Sequence, residues 1–233
     1  MPEPDGLDAV PWSRLEHAFG RADDVPEMIR DLRSPSERDR EEALEALRTT
    51  IWHQETVYSA TPYAVPFLAL VALDEAVDSK TRLWLVHLLA WISASEGRNA
   101  AGRRTQIEHV HAAREALAPF LPRFEAWLEV EEDENLAVAA VALVGLFPER
   151  RAEAAPAIRR LLARESDSRR ALFYRVALIA LGEDEQLDVR ELPDDYFDDE
   201  ARHELAAALA AREDPPETAR RALGELAGHA SDL

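Results

Sequence analysis

The stretch Ile51–Val71, IWHQETVYSATPYAVPFLALV, decides how the chain is interpreted, because a long amphipathic segment ends in it and an apolar segment with two prolines begins. Within it lie the polar and aromatic residues that we predict as contacts to a partner: Trp52, His53, Gln54, Glu55, Tyr58 and Tyr63. Thr61 is expected to cap a helix whose first residue is Pro62. Such a stretch is typical of a helix–helix corner or of a partner-contacting loop, and the two interpretations are compatible.

On either side of this stretch the apolar residues recur with the period of a helix, and no alternating strand pattern is present. The chain is therefore predicted to be all-α. Upstream, Ser34 followed by Pro35 and Glu37 predicts a capping box. The helix that follows is expected to present Leu44 and Leu47 on one side.

Two types of helix alternate along the chain. One type carries an aliphatic pair with a third apolar residue one turn later, as in Ala43, Leu44 and Leu47. Trp84 and Trp91, seven positions apart, are predicted to share one face of a later helix of this type. The other type contains prolines 40, 53 and 37 positions apart: Pro26, Pro66, Pro119 and Pro156. Because proline fits the first turn of a helix, these prolines are predicted to start the second helix of each hairpin in a two-helix repeat.

The run SPSERDREEALEAL resembles the first helix of a HEAT repeat, and AVPFLALV and VPEMIRDL resemble its second helix. The resemblance covers Val25 to Leu181 and implies a right-handed α-solenoid of about five helical hairpins with N- and C-terminal capping helices. The run HQETVYSATPYAVPFL is also similar to a stretch of bacterial HEAT-repeat proteins of uncharacterised role. The family implies a scaffold that binds other macromolecules, and some of its bacterial members resemble immunity proteins of toxin systems.

The predicted organisation is a single HEAT-like solenoid domain over residues 11–233, preceded by a disordered N-terminus over residues 1–10. An irregular insertion over residues 93–105, SASEGRNAAGRRT, interrupts the repeats. An acidic loop over residues 183–200 is expected to lie between the repeats and two C-terminal helices that close the stack.

Composition limits the partners and the environment. The formal net charge is −19, so most of the surface would repel a phosphate backbone, and no nucleic acid is expected as a ligand. A basic protein is the expected partner, because opposite charge speeds and orients its approach. The chain has no cysteine, no signal peptide pattern and no run of about 18 apolar residues. We therefore expect a cytoplasmic protein that does not enter a membrane, with the monomer favoured.

No sequence motif indicates a catalytic, cofactor or metal site. Neither GxGxxG nor GxxxxGK[ST] occurs, so no nucleotide cofactor is predicted. His109 and His111 would point about 200° apart on a helix and cannot share a metal. An imidazole and a carboxylate together could move a proton at neutral pH. An enzyme or small-molecule site around His53, Glu55 and Tyr58 is therefore the alternative to a non-enzymatic protein.

Residues 147–182 are locally basic and could bind phosphate or an acidic peptide. Arg159 and Arg160 are predicted as further partner contacts, although neutralisation by the acidic loop is the simpler explanation. A DNA-binding solenoid that uses Arg159 and Arg169 is a third hypothesis, against which the net charge argues. The first hypothesis is a non-enzymatic protein-binding scaffold, because aromatic residues and arginines anchor such surfaces. Its concrete form, an immunity-like protein that masks a basic toxin, is what the family resemblance implies together with the charge.

Overall fold

The computed structural model of the protein describes these residues: 6–95, 107–130, 133–183, 219–220 and 222–223. The contacts divide the chain into two compact units, Met1–Leu121 and Pro122–Leu233. The described residues are mostly helical, which confirms the all-α class in its coarse form. Arrangement of the helices as one solenoid domain stays a prediction.

The first unit contains the described helices α1 (Val25–Asp31), α2 (Glu37–Thr50), α3 (Thr61–Ala72), α4 (Ser79–Ala94) and α5 (Ile107–Leu117). It also contains two antiparallel ribbons of two-residue strands. In the first, β1 (Glu16–His17) pairs with β2 (Gly20–Arg21), and in the second, β3 (Trp52–His53) pairs with β4 (Thr56–Val57). Strands this short leave no alternating pattern, so the sequence did not indicate them.

The core of this unit lies around α3, which contacts α1, α4 and α5. Its sequence is apolar on nearly all sides, as expected for a helix covered all round. Val65 and Leu68 are fully buried. The remaining long helix, α2, packs against α1 and α4.

The N-terminal residues that the structure describes are packed. Leu7 is buried, and its carbonyl accepts a hydrogen bond of 2.8 Å from Nε1 of the buried Trp12. Short 3-10 turns over Leu7–Ala9 and Trp12–Arg14 surround this contact. The disorder expected for residues 1–10 stays a prediction; within that range, Trp12 supplies Leu7 with both an apolar neighbour and a donor.

Two helix starts differ from the sequence prediction. Ser36 caps α2, since its Oγ accepts a hydrogen bond from the backbone nitrogen of Asp39 at 3.3 Å. Ser34, the predicted cap, instead accepts from the backbone nitrogen of Ser36 and donates to the Asp39 carboxylate. Thr61 is the first residue of α3 and does not cap it. Its hydroxyl is occupied by two backbone groups from outside the helix, described below.

Only two of the four predicted prolines lie at the start of a helix or helical turn. Pro26 lies in the first turn of α1, and Pro119 lies in a 3-10 turn over Ala118–Phe120, as predicted. Pro66 and Pro156 lie inside helices, at the sixth residue of α3 and of α8 (Arg151–Arg164), so their assignment as helix starts is wrong. Both helices begin more than a turn earlier, and each proline removes a single backbone donor from the helix.

The second unit contains the described helices α6 (Leu121–Val130), α7 (Glu134–Gly145), α8 (Arg151–Arg164) and α9 (Ser168–Ala180). All residues of α7 from Leu136 onward are buried, as expected for a helix that is apolar on nearly all sides. At its end, a Cβ on Gly145 would lie 2.6 Å from Cδ2 of Leu223 and 3.2 Å from Cβ of Ala177. Glycine is therefore needed for close packing of α7 on α9.

Most of the predicted insertion over residues 93–105 and of the predicted acidic loop over residues 183–200 lies outside the described residues. The same holds for the predicted C-terminal capping helices, apart from short helical pieces at 219–220 and 222–223. These predictions stay open.

Candidate functional site

The predicted contact loop is the β3–β4 ribbon, in which Gln54 and Glu55 form the two-residue turn. Their φ angles are 48° and 62°, in the left-handed region that side chains with a Cβ rarely adopt. Asn-Gly is the usual sequence of such turns. The turn is therefore strained, and the rest of the ribbon holds it in place.

The base of the ribbon is closed by a side chain. In the register of the ribbon, Ile51 and Tyr58 would form the next pair after Trp52 and Val57. The hydroxyl of Thr61 lies between them, donating to the carbonyl of Ile51 at 2.5 Å and accepting from the backbone nitrogen of Tyr58 at 3.0 Å. Thr61 is fully buried. One threonine thus connects both strands of the ribbon to the start of α3.

On one face of the ribbon, Trp52 packs against Trp91 of α4. Its ring stacks on Trp91 with centroids 5.2 Å apart and an interplanar angle of 17°, and its Nε1 donates to Oγ of Ser95 at 3.0 Å. Trp91 in turn meets the edge of Trp84 at 6.1 Å, which confirms that the two α4 residues share a face. We call Trp52, Trp91 and Trp84 the tryptophan row. Trp84 at its end is 40% exposed.

On the other face of the ribbon, His53 lies against Phe19, with ring centroids 5.6 Å apart. Neighbouring residues of a strand point to opposite faces, so His53 and Trp52 lie on different sides of the ribbon. Phe19 is 70% exposed. The β1–β2 connection that carries it is fixed to the end of α2, because the backbone nitrogen of Ala18 donates to the carbonyl of Thr50 at 2.9 Å.

The predicted acid–base group is not assembled. No hydrogen bond or ion pair joins His53 to Glu55 in the described part of the chain. Tyr58 is half-buried, and this burial raises the pKa of its phenol. Tyr63 lies on α3 with 46% of its surface exposed. These side chains are near one another in sequence, and the enzyme or small-molecule site around His53, Glu55 and Tyr58 stays a hypothesis.

Five arginines in the described part of the second unit form ion pairs with carboxylates. The ion pairs are Arg150 with Glu125, Arg151 and Arg159 with Glu183, Arg160 with Glu129, and Arg170 with Glu134. Hydrogen bonding from Arg151, with the nearby Arg159 charge, lowers the pKa of Glu183. Only Glu183 belongs to the predicted acidic loop, and the other carboxylates come from α6 and the start of α7. Arg159 and Arg160 therefore already have acidic partners within the second unit.

Phe19, Trp84 and Trp91 are not among the sequence-predicted contacts. The seven-residue spacing of the α4 tryptophans predicts that they share one face, but nothing local in the sequence shows that Trp52 stacks there. Over the described residues, no group of three or more histidine, aspartate or glutamate side chains is placed to hold a metal. Within the same residues, no helix combines the length and apolar character needed to cross a bilayer.

Comparison with protein-family models, with curated proteins and with solved structures gave no match for this chain. The HEAT-repeat resemblance therefore rests on the sequence motifs quoted above and stays a prediction.

Proposed function

We propose that the protein is a non-enzymatic, protein-binding scaffold whose partner contacts the β3–β4 ribbon and the rings packed on it. The observation that carries this proposal is the exposure of aromatic rings on an ordered ribbon and helix, with Phe19 at 70% and Trp84 at 40%. Rigid aromatic side chains lose little entropy on binding and are enriched among the residues that dominate interface affinity.

The partner is proposed to be basic. The net charge of −19 gives the whole chain an attractive field for a cationic protein. In the concrete form of the proposal, the protein is immunity-like and masks a basic toxin. This form rests on the HEAT-repeat resemblance together with the charge.

The finer fold proposal is a HEAT-like solenoid. In the first unit, α2 packs on α4, whereas α3 contacts α1 and α5. Stacked helical hairpins would give this kind of contact between alternate helices. The solenoid arrangement is proposed for the helices within each unit separately.

A binding experiment tests the proposed surface. The protein, captured with its partner from cells of its source, is expected to form a one-to-one complex whose association slows as salt is raised. Phe19→Ala and Trp84→Ala remove exposed rings and should each weaken the complex by about tenfold or more. Val130→Ala, at a residue 72% exposed in the second unit, is the control. Equal affinity of all variants would contradict the surface, and salt-independent binding would contradict the basic partner.

The strained turn gives a separate prediction. Replacing Gln54 by Asn together with Glu55 by Gly should raise the free energy of unfolding by about 1 kcal/mol, because both residues then suit positive φ. If the turn side chains contact the partner, affinity should fall although stability rises. Urea unfolding and calorimetric titration of the same variant measure the two quantities. A less stable variant would show that the turn is not strained, and unchanged affinity would limit the contact to the rings.

A further inference from the structure

A groove of about 270 Å³ lies between α2 and α4 in the first unit. Glu37, Glu41 and Glu45 line it from α2, at intervals of four residues that place them on one helix face. From the α4 side it is lined by Asp78 and by Trp84, the exposed end of the tryptophan row. The groove is therefore continuous with the surface proposed to bind a partner.

The groove already holds an ammonium group between two of its carboxylates. Nζ of Lys80 lies 3.3 Å from Oε1 of Glu37 and 2.5 Å from Oε1 of Glu41. The hydrogen bonds to Glu41 and Glu37 raise the pKa of this ammonium. Two carboxylates share one cation here, so one negative charge is unbalanced.

The other groove carboxylates are paired within the protein. Glu45 binds Arg48 at 2.7 Å, and Asp78 binds Arg40 at 2.8 Å. The unbalanced charge thus lies at the Lys80 end, where Glu37 and Glu41 are 67% and 51% exposed. Exposed ammonium–carboxylate pairs of this kind are weak, so another cation can replace Lys80 at little cost.

We propose that this groove binds an arginine side chain of a basic protein partner, and that Lys80 is the internal occupant which the arginine displaces. This inference rests on the proposed function. Arginine suits the groove better than lysine, because its planar guanidinium donates in a fork to carboxylates and also stacks on an aromatic face. Glu37 and Glu41 supply the carboxylates, and Trp84 supplies the exposed ring.

The chain offers a matched ion pair for the test. Arg38 binds Glu42 at 2.7 Å on the same helix, but neither residue lines the groove. Glu42→Gln and Arg38→Gln therefore change the charge of the protein as Glu41→Gln and Lys80→Gln do, outside the groove. All four residues are more than half exposed, so these substitutions should leave the fold intact.

The experiment measures binding of a capped hexa-arginine peptide by calorimetry at low salt. Glu41→Gln should weaken binding about fivefold, and Lys80→Gln should strengthen it about threefold, since it removes the competing cation. Trp84→Ala should weaken binding of hexa-arginine more than binding of capped hexa-lysine. Glu42→Gln and Arg38→Gln should change the affinity less than twofold.

Equal effects of the groove substitutions and their matched controls would overturn the proposal, because they would show attraction to the total charge alone. A failure of the proposed function looks different. If Phe19→Ala abolishes binding of the natural partner but Glu41→Gln and Lys80→Gln do not alter it, the groove proposal is wrong and the scaffold proposal stands. If the peptide follows the predicted pattern but no partner is captured, the groove binds arginine and the scaffold proposal fails.

Discussion

Thr61→Val is expected to lower the free energy of unfolding by about 2–4 kcal/mol, although threonine and valine have nearly the same shape. The substitution removes the hydroxyl that accepts from the nitrogen of Tyr58 and donates to the carbonyl of Ile51. Both backbone groups would then lack this partner beside a fully buried side chain. The ribbon that carries Trp52 would lose its connection to α3 at the same time.

Urea unfolding followed by tryptophan fluorescence measures this loss, since four of the five tryptophans belong to the first unit. Thr61→Ser keeps the hydroxyl and should cost only about 1 kcal/mol for the lost methyl group. Thr56→Val is the control, because it makes the same exchange of threonine for valine in the same ribbon, at the residue pair next to the turn. Equal losses for Thr61→Val and Thr61→Ser would mean that packing, and not the hydroxyl bridge, stabilises the ribbon.

The second large effect is expected from acid. His87 is buried on α4, and its ring lies 6.3 Å from the rings of both Trp84 and Trp91. Its buried Nε2 has no hydrogen-bond partner among the described residues. Burial lowers the pKa of His87 to about 4, because the charged imidazolium would lose its hydration there.

Because the unfolded chain takes up this proton near pH 6.5 and the folded protein only near pH 4, the unfolded state binds more protons between these values. The contribution of the neutral His87 ring to the free energy of unfolding is therefore complete above about pH 6.5, and it is lost progressively as the pH falls toward 4. The shift corresponds to about 3 kcal/mol. Urea unfolding at several pH values should show this loss.

His87→Leu should remove that part of the pH dependence, and it should not lower stability at pH 7, because no hydrogen bond to Nε2 is lost. Carboxylates also titrate in this range. The quantity to compare is therefore the difference in free energy of unfolding between the variant and the parent protein at each pH. His111→Gln, at an exposed position of α5, should leave the profile unchanged. Parallel profiles for the parent protein and His87→Leu would contradict the prediction.

Most helices could be predicted from the sequence because helix-forming signals are local. The apolar period of α2 and α4 and the continuous apolar run of α7 appear within single segments, and the structure contains all three helices. Helix ends were less predictable. Ser34 and Ser36 are both suitable caps, and only the fold of the preceding chain decides that Ser36 accepts from Asp39.

The candidate site was predictable only in part. A density of aromatic and polar residues drew attention to the stretch after α2; of its aromatic residues, Trp52 lies on a strand of the ribbon, Tyr58 follows the second strand, and Tyr63 lies on α3. The ribbon itself was missed, because Gln-Glu is an unusual turn sequence and two-residue strands have no period. His53 and Glu55 are close enough in sequence to predict a proton-transfer pair, but in the structure the ring of His53 packs against Phe19.

By itself, the sequence determined that this protein is helical, acidic and rich in buried aliphatic faces, because those properties follow from residue type and short-range period. Tertiary structure alone decided that Trp52 stacks on Trp91, that Thr61 bridges the ribbon, and that Lys80 lies between two carboxylates of α2. Each of these contacts joins different secondary-structure elements, and the Trp52 and Lys80 contacts join residues about 40 positions apart. Such contacts form only when helices pack, and packing depends on the shape of the whole unit, which no local pattern encodes.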